Sequence, residues 1–266
     1  MKKIRLSHGI HLLPSLFTTA NMFCSFFSIV RSINGDYYVA SAAILFASLF
    51  DMVDGRLARM TKTQSDFGRE YDSLVDLASF GLAPAILMYT WTLHQFKPVG
   101  WFLAFIFFTC AALRLARFNV RVDVVEKKRF QGLPTPPAAC MLATLVLFYH
   151  SLYGDVPIQS HLAAAFVPVL ALLMVSKVRY RSFKEFDVKR GNSFYILLGV
   201  SLTIGLIAIK PEIVLFLAFL IYVLSGPVME VILFKRSRPL KMRYRPRKLS
   251  VIGLKGEGET IVKKAE

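Results

Sequence analysis

Eight apolar runs, separated by short polar stretches, occupy most of this chain. They lie near residues 12–32, 37–57, 72–92, 100–119, 136–153, 161–178, 193–209 and 212–234. A helix needs about 20 apolar residues to cross the hydrocarbon core of a bilayer, and the pattern predicts eight transmembrane helices with turns between them. The first run follows a basic start, as in a signal peptide. It is too long for one and no small-residue cleavage site follows, so an uncleaved first span is expected. Gly81 and Pro84 punctuate the third run, while Gly132, Pro134, Pro136 and Pro137 crowd the join between the fourth and fifth. Prolines at a helix start forfeit no donor that the helix needs, so this join is predicted to be a rigid elbow.

Composition agrees with a polytopic membrane protein: 55% of the 266 residues are hydrophobic. The net charge of +16 could suggest nucleic acid. The basic residues sit in blocks between apolar runs, however, which is the pattern of membrane-flanking loops, and no nucleic-acid partner is expected. With the N-terminus in the cytoplasm, all of the 33 Lys and Arg except Arg31, Lys97 and Lys210 fall on the cytoplasmic side. Positive loops are retained inside, so both termini are predicted to be cytoplasmic, and an odd number of spans would break the bias. The fold class is therefore all-α, with a membrane domain over 1–234 and a basic cytoplasmic tail over 235–266 that can lie along anionic headgroups. Cys24, Cys110 and Cys140 are scattered through apolar segments and read as small buried hydrophobes rather than disulfides or zinc ligands.

Candidate chemistry concentrates in residues 51–76, DMVDGRLARMTKTQSDFGREYDSLVD. Asp51 and Asp54 are three apart, and Asp72 and Asp76 four apart, so each pair shares a helix face. Two adjoining helices would thus bring four carboxylates to one junction at the cytoplasmic edge. Such crowding is costly unless a multivalent cation lies among them, and all-oxygen ligands suit Mg²⁺ or Mn²⁺ better than zinc. A plainer account has Asp72 capping a helix start and Asp51 and Asp54 pairing with Arg56 or Arg59. A third account is a divalent-cation transporter, which calls for acids near mid-membrane and a matching half-repeat.

Asp51-x-x-Asp54-Gly55-x-x-Ala58-Arg59, then eight residues, then Gly68-x-x-x-Asp72-x-x-x-Asp76 resembles the full signature of the CDP-alcohol phosphotransferase family, with every fixed position filled. Further stretches are similar to the membrane-embedded, serine-using branch of that family. These are Leu13-Pro14 with Thr18 and Asn21, Ser79 to Ala85, Ala112 to Asn119, and Phe130 to Pro136. Ser15 stands where that branch has asparagine. The resemblance implies transfer of the phosphatidyl group from CDP-diacylglycerol to L-serine, giving phosphatidylserine and CMP. Glycerol phosphate or inositol phosphate as acceptor, or an archaeal ether lipid as donor, are the alternatives within the family.

Two cations would clamp the pyrophosphate and stabilise the leaving CMP, with Asp51, Asp54, Asp72 and Asp76 as their ligands. Asp76 is also the expected general base. Thr18, Asn21, Gly55, Ala58, Arg59 and Gly68 complete the expected CDP-lipid site, with Arg59 bridging phosphate oxygens. Arg114, Arg117 and Asn119 are candidates for the serine carboxylate or a phosphate. The resemblance further implies a homodimer, the charge bias places its active site at the cytoplasmic face, and a plasma membrane is the simplest setting, with membrane lipids as partners.

Overall fold

The first helix, α1 (Arg5–Ile33), has the two faces of a soluble-protein helix exchanged. Thr18, Asn21, Ser25, Ser28 and Ser32 recur every three or four residues and are buried, while Leu16, Phe23, Phe26 and Ile33 on the outside are largely exposed. Lipid solvates the apolar side chains as well as a protein core would, so the interior seam goes to small and polar residues that let backbones approach. Along that seam runs α2 (Tyr37–Thr61), buried through Ala40, Ser41, Ala43, Ile44 and Ala47. The Ser28 hydroxyl donates to the Ala40 carbonyl at 2.8 Å. A tight turn at Gly35, closed by an Arg31–Asp36 ion pair, makes the two helices antiparallel neighbours.

This computed structural model describes residues 5–61, 66–121, 130–154, 161–180, 201 and 210–236. After α2 the chain forms α3 (Asp66–Leu77), a π turn (Ala78–Leu82) and α4 (Ala83–Trp91), which together make one span. The span begins six residues before the predicted Asp72, with Asp66 in its first turn and paired to Arg69. An acid there suits the positive end of the helix dipole. Pro84 lacks an N–H and its ring crowds the preceding turn, and the wider π turn just ahead of it absorbs both defects. Gly81 in that turn lies so close to Ala111 and Phe108 that a Cβ would sit at 3.3 Å from each. Those two residues belong to α5 (Pro98–Arg121), reached through a 3₁₀ turn at Leu93–Phe96.

The fifth long helix, α6 (Thr135–Tyr153), is the most enclosed, with every residue from Ala138 to Thr144 buried among α2, α4 and the last helix. It opens on the proline-rich elbow as predicted, Pro134 preceding its first residue. Two elements there differ from the sequence reading. First, α7 (His161–Val175) ends three residues short of the expected 178, because the chain turns out to pair with the elbow. Second, that pairing is a two-residue antiparallel ladder, β1 (Phe130–Gln131) with β2 (Arg179–Tyr180), while the other described elements are helical. The last described helix is α8 (Pro211–Arg236).

Among the described residues, six helices are long and apolar enough to cross a membrane, and α7 is a shorter apolar helix. The predicted span at 193–209, apart from Ser201, and the tail beyond Arg236 fall outside the described residues. The chain is a multi-pass helical membrane protein.

The elbow depends on one glycine. Gly132 has φ +83°, its N–H donates to the Val178 carbonyl at 2.8 Å, and a Cβ would lie 2.2 Å from the Met174 carbonyl oxygen. Gly132→Ala is expected to cost at least about 1–3 kcal/mol from backbone strain alone. A clear fall in the thermal unfolding midpoint of the detergent-solubilised chain would register it, and an unchanged midpoint would show that the elbow is not clasped to α7.

Candidate active site

The signature acids meet where the end of α2 lies against the start of the α3–α4 span. One carboxylate oxygen from each of Asp51, Asp72 and Asp76 lies within 4.8 Å of the other two. Asp54 is buried one turn beyond, within electrostatic reach of Asp51 and Asp72, and its carboxylate receives the Thr18 hydroxyl of α1. Ionised carboxylates at this spacing repel by roughly 3 kcal/mol per pair at an effective dielectric of about 20. No ion pair relieves them: among the described residues the salt bridges are Arg31–Asp36 and Arg69–Asp66. Asp72 is two turns inside α3 rather than at its start, so helix capping does not explain it either.

Buried oxygens of Asp54, Asp72 and Asp76 have no hydrogen-bond partner. A buried acceptor without a partner forfeits its hydration, about 1–3 kcal/mol and more when charged. An all-oxygen set with orphaned acceptors fits a hard divalent cation such as Mg²⁺ or Mn²⁺. Asp51, Asp72 and Asp76 are the residues that could hold one, with Asp54 placed for a second.

The other candidates divide by position. Asn21 is fully buried in the α1 seam with both polar atoms of its amide unpartnered. Gly55 has no described atom within 4 Å of where a Cβ would be. Among the described residues, then, no neighbouring helix packs tightly on this glycine, and a ligand could approach its face of α2. Ala58 and Arg59 follow on α2, their side chains outside the described ones, and Gly68 lies half-buried on the first turn of α3.

On α5, Arg114 turns inward, donating to the Thr135 hydroxyl at 2.8 Å and lying within electrostatic reach of Asp76. Arg117 behaves differently: its guanidinium donates to the Val175 carbonyl at 3.1 Å, capping the C-terminal end of α7. Asn119 donates to Ser73 on α3 at 3.0 Å.

Between α3 and α5 a cleft of about 260 Å³ opens directly onto Asp72 and Asp76. Arg69, Glu70, Ser73, Leu115, Phe118 and Asn119 complete its lining. Of these, only Asn119 is a residue that sequence reasoning had marked. Ser73 and Phe118 each adjoin a marked residue, but only the docking of α3 on α5 shows that they face one space.

Comparison with known proteins accords with this geometry. Residues 11–179 match the CDP-alcohol phosphatidyltransferase family. The chain is 34% identical over 205 residues to the CDP-diacylglycerol–serine O-phosphatidyltransferase of Helicobacter pylori, covering 76% of this chain and 84% of that one. It is 31% identical over 176 residues to the protein of the same name from Bacillus subtilis, covering 66% of this chain and 93% of the relative. To the archaetidylserine synthase of Methanothermobacter thermautotrophicus it is 37% identical over 173 residues, with 63% and 69% covered. The chain belongs to the CDP-alcohol phosphatidyltransferase family and is an enzyme of that class. The transporter account falls away with that membership.

Proposed function

We propose that this enzyme is a CDP-diacylglycerol–serine O-phosphatidyltransferase, making phosphatidylserine and CMP. The observation that carries the reading is the convergence of Asp51, Asp72 and Asp76, two of which, Asp72 and Asp76, line the α3–α5 cleft. The names of the Helicobacter and Bacillus relatives support serine as the acceptor.

Two Mg²⁺ or Mn²⁺ ions held by Asp51, Asp54, Asp72 and Asp76 would neutralise the pyrophosphate and the departing CMP. The chain's own groups do the rest. Thr18 and Asn21 of α1 and the open face at Gly55 receive the cytidine diphosphate end, with Ala58, Arg59 and Gly68 bordering it. The serine hydroxyl approaches from the α3–α5 cleft, and Asp76 accepts its proton as the oxygen attacks the lipid-bearing phosphorus. The bond from that phosphorus to the CMP oxygen breaks and CMP leaves. Arg114 supplies positive charge for the serine carboxylate or a phosphate oxygen, and Asn119 borders the acceptor. Arg117 supports this arrangement through α7.

The basic-residue distribution supports eight spans, cytoplasmic termini and a cytoplasmic active site in the plasma membrane. The homodimer, and the division into a membrane domain over 1–234 and a tail over 235–266, rest on family resemblance and composition. A second reading concerns the lipid alone: the relative named archaetidylserine synthase favours considering an ether-linked donor with the same acceptor.

The deciding experiment offers purified protein CDP-diacylglycerol with serine, glycerol phosphate or inositol phosphate, and follows CMP. Release with serine alone is expected. Release with a phosphorylated alcohol instead would replace the acceptor, and strong preference for a CDP-activated ether lipid would replace the donor.

A further inference from the structure

The last helix, α8, lies beyond the residues matched by the family, yet it is locked to the site by a pair of tyrosines. Tyr180 at the end of β2 is buried, and its hydroxyl donates to the Val223 carbonyl at 3.1 Å. Its ring occupies the space above Gly226, where a Cβ would lie 2.3 Å from the ring. Burial, with Tyr222 beside it, pushes the Tyr180 phenol up to about 12, so it remains a neutral donor at ordinary pH. The ladder ties Tyr180 to the elbow, and the elbow leads into α6, whose first residue, Thr135, accepts from Arg114.

Tyr222 completes the circuit. Its ring centroid is 5.7 Å from that of Tyr180, and it lies within electrostatic reach of the Arg114 guanidinium. Arg114 is thus bonded to Thr135 from α6 and within electrostatic reach of Tyr222 from α8, with its Nε buried and unpartnered. A guanidinium has five N–H donors, and a half-dry carboxylate nearby is the partner it would ordinarily seek. Arg114 and Asp76 nevertheless form no ion pair, although each is within the other's field. A closed Arg114–Asp76 pair would occupy the carboxylate that the proposed chemistry needs.

We propose that Tyr222 is a positioning residue, which together with Thr135 holds the Arg114 guanidinium off Asp76 and aims its free donors at an anionic group of the substrates. This rests on the proposed reading of the site. The anion is a carboxylate if it belongs to the acceptor and a phosphate if it belongs to the CDP-lipid.

The test uses the full chain in detergent, comparing wild type with Tyr222→Phe, Tyr222→Leu and, as a control on the outer face of α8, Leu224→Ala. In the Tyr222 variants the KM of one substrate should rise about tenfold while kcat changes much less, the signature of lost binding rather than lost chemistry. A rise for serine assigns the carboxylate, and a rise for CDP-lipid assigns the phosphate. A purely structural tyrosine would lower the unfolding midpoint and leave both KM values at the control's level, which would overturn the proposal.

Should wild type release no CMP with any alcohol, the function reading fails. The Tyr222–Arg114 link is then decided by unfolding midpoints of Tyr222→Phe, Arg114→Gln and the double variant. Non-additive shifts support the link, and additive shifts overturn it.

Discussion

Asp76→Asn is expected to abolish CMP release while the chain still binds CDP-diacylglycerol. The substitution keeps the shape and one coordinating oxygen but removes the capacity to take a proton. Loss of a positioned general base alone lowers turnover by about 10²–10⁴-fold. Asp76 carries a second burden, because its oxygen is one of the three that converge within 4.8 Å. The fall should therefore lie at or beyond the upper end of that range. Two measurements separate the roles: CMP release at saturating substrates, and equilibrium binding of the CDP-lipid to the same preparation. Near-wild-type turnover would remove Asp76 from the proton-transfer role. Equal loss of binding and turnover would confine it to holding metal.

Stripping divalent ions should have an effect of comparable size. The reasoning starts from the cost of the empty cluster: three mutual repulsions of roughly 3 kcal/mol each approach the whole stability of an ordinary domain. A chelator is expected to reduce activity to background, with Mg²⁺ or Mn²⁺ restoring it. Because the same ions relieve the repulsion, they should also raise the unfolding midpoint without substrate. Titration with Mn²⁺ alone, followed by electron paramagnetic resonance, should count two bound ions per chain and fewer in Asp51→Asn. Full turnover in metal-free buffer would end the two-ion account.

The acids were legible in the sequence because helical spacing is a strict rule. Residues three or four apart share a face, so two short acidic pairs near one turn had to confront each other once their helices paired. The positions of the six long apolar helices were legible for a similar reason, since lipid solubility demands long apolar runs. What escaped was whatever depends on a defect or on a distant partner.

The π turn at Ala78–Leu82 relieves Pro84, and neither residue type specifies it alone. The start of α3 at Asp66 was hidden because its first turns are polar and lie outside the apolar run. The ladder of Phe130–Gln131 with Arg179–Tyr180 joins segments about 50 residues apart, which no local pattern announces. Arg114 and Arg117 looked equivalent at a spacing of three. Only the docking of α6 and α7 on α5 decides that one guanidinium caps a helix while the other turns inward to Thr135. Tyr222 in a run of apolar residues carried no signal at all.

The exchanged faces of α1 bear on any attempt to make this enzyme water-soluble by redesign. Hydropathy would mark Ser28 and Ser32 as already compatible with water and so of little interest, yet both are fully buried. Bulkier residues there would wedge α1 from α2 and, through Thr18, shift the shell around Asp54. The positions open to polar replacement are the greasiest ones, Leu16, Phe23 and Phe26, which are largely exposed among the described residues. In this helix the side chains that look expendable carry the architecture, and those that look essential serve only to keep it in the membrane.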